Sequence, residues 1–175
     1  MRRLKKLALY LAITYAAFFL QTVLMPHVSI AGVSPNLLVI AVAVIGFMVE
    51  TKDGIFLGLL CGICCDRFFG DYFGIYAFIY ALVGYTAGFM HQKIFDDDVS
   101  LPVVAIGICD VIYGLLMYVL YFLLRSRYDF VYYLFHVIIP EAVYTAVIGA
   151  AVYYLFLAVY RRQSELAKRS ADKFV

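Results

Sequence analysis

The sequence predicts an all-α, polytopic integral membrane protein with about six transmembrane helices, and three observations lead there. Hydrophobic residues make up 66% of the 175 positions and charged residues only 15%, with a mean hydropathy of +0.94. A soluble domain is closer to half apolar and a quarter charged. The apolar residues fall into runs sufficient for five or six spans of about 20 residues each. Within one run, Gly54, Gly58, Gly62, Asp66, Gly70 and Gly74 recur at every fourth position. That spacing predicts a stripe almost free of side chains along one helix face. In lipid, close backbone approach through small residues is a main source of helix association. The stripe therefore points to helix–helix assembly inside a bilayer.

The spans are expected in order within a single membrane domain, 1–175. Arg2, Arg3, Lys5 and Lys6 precede an apolar run over 7–25. It is long for a signal peptide's core and has no convincing cleavage site, so it reads as a retained first helix. Ser34 and Pro35 suggest an N-cap and first-turn proline opening a second helix, 35–49. Glu50 to Asp53 reads as a polar turn before a third helix, 54–69. Gly70 and Asp71 turn the chain into a fourth, 73–91, where Gly84 and Gly88 repeat the small-residue spacing. A fifth is expected over 102–124. The apolar stretch from Phe130 to Tyr160 is too long for one straight span. Pro140 is expected to divide it into an aromatic interfacial segment and a crossing helix, 137–160. Residues 161–175 form a tail. The second and third helices are short for a hydrocarbon core of about 30 Å, which leaves a re-entrant hairpin open for them.

Charge placement gives the orientation. With both termini inside, the inner segments hold Arg2, Arg3, Lys5, Lys6, Lys52, Lys93, Arg161, Arg162, Lys168, Arg169 and Lys173. The outer turns hold Arg67, Arg125 and Arg127, a strong positive-inside bias. There is no tryptophan, and tyrosines such as Tyr72, Tyr121, Tyr128 and Tyr160 take the interfacial positions. A net charge of +2 is too small to argue for a nucleic-acid partner.

Few residues suggest chemistry. Asp66, late in the third helix, reads as a cap for the following turn, a partner for an outer arginine, or a direct contact with a partner or ligand. Asp110 is embedded in apolar sequence of the fifth helix, where an ionised acid is expensive and normally faces the bundle interior or water. Pro140 and Glu141 stand where the last helix begins, and Glu141 either suits the positive end of that helix or faces Arg125 or Arg127. Asp96, Asp97 and Asp98 read as a solvated loop. Cys61, Cys64, Cys65 and Cys109 read as small packing residues. No hydrolase, metalloprotease, phosphate-loop or dinucleotide motif is present. The residues therefore suggest neither an enzyme nor a cofactor.

Gln21 late in the first helix and Pro35-Asn36 opening the second begin a recognisable pattern. The run from Gly58 to Asp66, then Gly74-Ile75-Tyr76-Ala77, continues it, and Pro140 through Tyr144 and Thr145 completes it. Over about residues 10–160 this pattern resembles the bacterial rod shape-determining protein MreD family. Asparagine is frequent in that family near Tyr144 or Thr145, and its replacement here leaves that contact open. The resemblance implies a non-enzymatic inner-membrane scaffold that binds the transmembrane helix of MreC. It would act beside the RodA glycosyltransferase and a penicillin-binding transpeptidase in cell-wall elongation. The family's fold is similar to the substrate-binding subunits of energy-coupling-factor vitamin transporters, which supplies the alternative function.

Overall fold

The computed structural model describes residues 2–29, 32–70, 72–93, 100–122 and 130–171, and among these it is entirely helical apart from connections. Helix α1 covers Arg2–Val23 and is followed by a 3-10 turn, Met25–His27. Helices α2, α3 and α4 cover Leu37–Met48, Thr51–Phe69 and Ile75–Lys93. Helix α5, Ser100–Met117, ends in a π-helical turn, Tyr118–Phe122. Helix α6, Phe130–Tyr133, passes through a second π turn, Leu134–Ile138, into α7, Ile139–Ala171. Asp71, Asp96 to Asp98, Arg125, Arg127 and Tyr128 lie outside the described residues.

Several expected boundaries move for local reasons. The cap of α2 is Asn36 and not Ser34, because its side chain accepts from the Val39 amide and so satisfies one orphan donor of the first turn. The polar segment Thr51-Lys52-Asp53 is the first turn of α3 and not a separate loop, with Glu50 at the N-cap position. Pro140 does not divide the last apolar stretch. A proline in a helix removes one amide donor and crowds the carbonyl four residues back. Here the preceding turn widens instead, and the Ile139 amide bonds to the Leu134 carbonyl five residues back. The helix continues past Tyr160 to Ala171, into the expected tail. The glycine stripe also ends early. Gly70 closes α3 in extended backbone. Gly74 has φ +105°, a conformation that side chains disfavour, and its carbonyl accepts from Phe78 to start α4. These two glycines make a turn.

The remaining glycines bring α3 and α4 into backbone contact. A Cβ placed on Gly54 would stand 2.8 Å from the Gly84 carbonyl oxygen. One on Gly58 would overlap the Tyr80 carbonyl group, with its carbon at 2.7 Å. One on Gly62 would lie 2.5 Å from the Ala77 amide. Gly88 faces Thr51 in the same way, and Gly46 of α2 meets Gly84 and Gly54. α3 and α4 are thus an antiparallel pair in contact from Thr51/Gly88 to Gly62/Ala77.

Helix α2 runs through the middle of the bundle, its residues from Leu38 to Gly46 buried except Ala41, which is partly buried. It packs against α1, α3, α4, α5 and α7. Its core partners include Tyr10, Leu57, Tyr80, Val83 and Ile106. Among the described residues, three helical segments, Leu4–His27, Pro102–Leu120 and Phe130–Ala158, are long and apolar enough to cross a membrane, where six spans were expected. The others differ for identifiable reasons. α2 and α4 have shorter apolar runs, and α3 carries Lys52, Asp53, Asp66 and Arg67 near its two ends.

Gly58→Ala is expected to cost about 2 kcal/mol or more, since the added methyl must displace backbone. Gly107→Ala, whose Cβ would meet only Ala146 Cβ at 3.6 Å, is expected to be neutral or to stabilise by up to about 1 kcal/mol. Thermal unfolding of both variants in detergent checks the contrast, and equal effects would refute it.

Candidate functional site

The polar residues gather around the entry to α2. The Gln21 side-chain oxygen, from the end of α1, accepts from the Leu37 amide at 2.7 Å. Thr145 of α7 accepts from the Asn36 amide at 3.0 Å. Asn36 Oδ1 accepts from the Val39 amide at 3.1 Å and from the Tyr80 hydroxyl at 3.4 Å. Pro35 is fully buried beside them. Four helices, α1, α2, α4 and α7, therefore meet in one hydrogen-bonded junction. Gln21, Pro35, Asn36 and Thr145, scattered in sequence, are brought together here. Tyr144 sits apart and donates to the Val28 carbonyl at 3.0 Å, tying α7 to the loop that follows α1.

Asp66 closes the α3–α4 turn. Its two carboxylate oxygens accept from the Tyr76 and Ala77 amides at 2.9 and 3.0 Å, and the residue is 4% exposed. A charge at a helix N-terminus that also satisfies two orphan amides is a favourable arrangement. Both oxygens are thereby used inside the chain, and Arg67 beside it is exposed.

Asp110 differs. It is 2% exposed, and neither carboxylate oxygen has a hydrogen-bond partner among the described residues. Its polar neighbours are Glu141 and Thr145 of α7. Glu141 is partly buried, near Tyr133 and Tyr113.

At the opposite end of the bundle, Lys6 of α1 donates to Asp53 of α3 at 2.7 Å. Sequence reasoning placed both residues on the inner side without pairing them. Two weaker links were also missed, Thr14 with the Cys61 sulfur and Thr86 with the Cys109 sulfur, each at 3.7 Å. Nothing in the spacing of these residues announces the contacts, which exist only once the helices are aligned. All four cysteines are free, and three are buried.

Two cavities open on the apolar surface. A groove of about 460 Å³ between α5 and α7 has a floor of Gly107, Ala142 and Ala146 and walls including Val104, Ile108 and Val143. A wider hollow of about 800 Å³ lies among Val33, Tyr132, Phe135, His136 and Tyr144. The described residues contain no group of three or more potential metal ligands. The junction donates and accepts hydrogen bonds that hold helices in register, and the groove offers shape without polar chemistry.

The family model described as rod shape-determining protein MreD matches residues 1–163. No curated protein matches the chain, and no solved structure does.

Asp66→Ala is expected to lower stability by about 2 kcal/mol, because two buried amides lose their acceptor. Lys6→Ala, which breaks a half-exposed ion pair, should cost no more than about 1 kcal/mol. Unfolding midpoints in detergent rank the two, and a larger loss for Lys6→Ala would reverse the assignment.

Proposed function

The chain belongs to the MreD family, and on that premise we propose that it is a non-enzymatic scaffold of the bacterial cell-wall elongation machinery. A role in rod shape determination comes with the family. The finer reading is that the protein captures the transmembrane helix of MreC. Through the resulting complex it biases the RodA glycosyltransferase and its penicillin-binding transpeptidase.

One observation carries the docking surface. The glycines of α3 and α4 are consumed inside the chain, so a partner helix has no access to them. The α5–α7 groove keeps small residues on an open, wholly apolar face. A transmembrane helix packs best where small residues allow close approach, and Gly107, Ala142 and Ala146 offer that. Docking is thus assigned to α5 and α7, and the 54–74 stripe is left to packing within the chain.

In this reading the protein crosses the inner membrane six times with both termini in the cytoplasm. The distribution of lysine and arginine supports that orientation. So does the pairing of Lys6 with Asp53 at one end of the bundle, opposite the Gln21–Leu37 link at the other. Helix α2 would be shielded by its neighbours, and the arrangement would be similar to energy-coupling-factor substrate-binding subunits. Family membership favours the scaffold over the vitamin-transport alternative.

Val104→Trp and Val143→Trp fill the groove at exposed positions, so folding should persist. Capture of MreC from co-expressing cells is expected to fall at least about tenfold, and rod cells depending on either variant should round up. Phe78→Trp, on the exposed face of α4, should change neither. Full capture by both groove variants would remove the groove as the docking site. Normal cell shape after depletion, with a new vitamin requirement, would overturn the scaffold itself.

A further inference from the structure

Asp110 is the one side chain in the described bundle whose buried polar atoms are left without partners. It stands ten residues past Ser100, about 15 Å along α5, on the face that looks into the bundle with Ile106 and Cys109. The helix register locates what lies opposite. Gly107 faces Ala146, with 3.6 Å between a built Cβ and Ala146 Cβ, and Gly114 faces Ile138 at 3.0 Å. These contacts bracket Asp110 against the turn of α7 that runs from Glu141 to Thr145. The Thr145 hydroxyl already accepts from the Asn36 amide, and its proton remains for another acceptor.

Among the described residues, none that acts on Asp110 is a lysine or an arginine. Glu141 is the charged neighbour acting on Asp110 from α7. Its own helix contributes Cys109 and Tyr113. Helix α4 contributes Tyr80 and Tyr76, and α3 contributes Cys65, all of which act on Tyr113. Tyr133 of α6 adjoins Glu141, and α2 presents no titratable side chain in Leu37–Met48. Lys6 is engaged with Asp53 at the other end of the bundle. A metal ion fits poorly, since no cluster of three potential ligands exists among the described residues. Two acids close together in an apolar interior cannot both carry charge without a cation.

We propose that Asp110 is a proton-binding site that exchanges with the surrounding solution through Glu141. The geometry gives each residue a distinct part. Asp110 is closed off and retains the proton, whereas Glu141 lies at the start of α7, partly open, and relays it. No bond other than the O–H bond forms or breaks: a proton leaves water, passes by way of the Glu141 carboxylate and rests on the Asp110 carboxylate. Asp110 lies along the same α5–α7 seam as the docking groove, whose floor is Gly107, Ala142 and Ala146, but the proton site is read without any partner helix.

Infrared spectroscopy of the full chain in lipid nanodiscs at neutral pH tests it. Wild-type protein should show the C=O stretch of a neutral carboxylic acid, and the band should shift when aspartate carries a 13C carboxyl label. Asp110→Asn, which keeps the side chain's shape, should lose the band while circular dichroism reports unchanged helix. In Glu141→Gln the band should persist, but its shift on transfer to D2O should slow at least about tenfold. Absence of the band in wild type, or insensitivity to the aspartate label, would overturn the site even if Asp110→Asn failed to fold. A band unchanged in Asp110→Asn would do the same. Exchange as fast in Glu141→Gln as in wild type would overturn the relay.

Discussion

The structure depends on one constraint: α3 and α4 touch through their backbones. With glycine at 54, 58, 62, 84 and 88, the two helices come closer than any pair bearing side chains on those faces could. Close approach matters more in lipid than in water, because helices there gain little from hiding apolar surface from one another. Dispersion and tight fit must hold the pair, and both fall off quickly with distance. Gly46 extends the same contact to α2, so three helices share one point of near approach. The remaining helices are arranged around that unit.

Hydrogen bonding completes what close packing begins. A helix that starts within the bundle leaves its first amides unsatisfied, and an apolar environment offers no water to replace the missing acceptors. The chain answers this at two helix starts. Asn36 and Gln21 satisfy the beginning of α2, and Asp66 satisfies the beginning of α4. Because Gln21 and Thr145 belong to α1 and α7, capping α2 also fixes where the outer helices lie. Local secondary structure and tertiary arrangement are here set by the same few side chains.

Much of this was legible in the sequence, and the legible part has a physical signature. Apolar runs between polar turns gave the positions of most helices, and small residues four apart marked the third helix as closely packed against others. The sequence suggested a cap for Asp66 among other roles, and the structure shows it accepting from two amides at the start of α4. What could not be read is whatever depends on three-dimensional alignment. The stripe was extended through Gly70 and Gly74 because spacing alone does not reveal that Gly74 leaves the helix at φ +105°. Pro140 looked like a break because a π turn can absorb a missing amide only if neighbouring packing permits it. Partners in the junction come from segments more than one hundred residues apart, as with Asn36 and Thr145, and no local pattern encodes such a pairing.

The division between inward and outward residues explains how a helix as short as α2 serves in this bundle. A span facing lipid must match the hydrocarbon thickness by itself, which takes about 20 residues. Helix α2 has only 12, yet its neighbours surround nearly every side chain, so protein and not lipid is its solvent. Helices α1, α5 and α7 carry the long apolar runs, and large side chains stand exposed both there, as at Phe19, Val104 and Leu155, and on the outward faces of α3 and α4, as at Ile63 and Phe78. Helix α2 is enclosed by its neighbours, while the glycine faces of α3 and α4 are turned toward one another. A surface of small residues for another membrane helix must then be found elsewhere. That is why the small residues of α5 and α7, and not the more numerous glycines of α3 and α4, are the ones free to receive a partner.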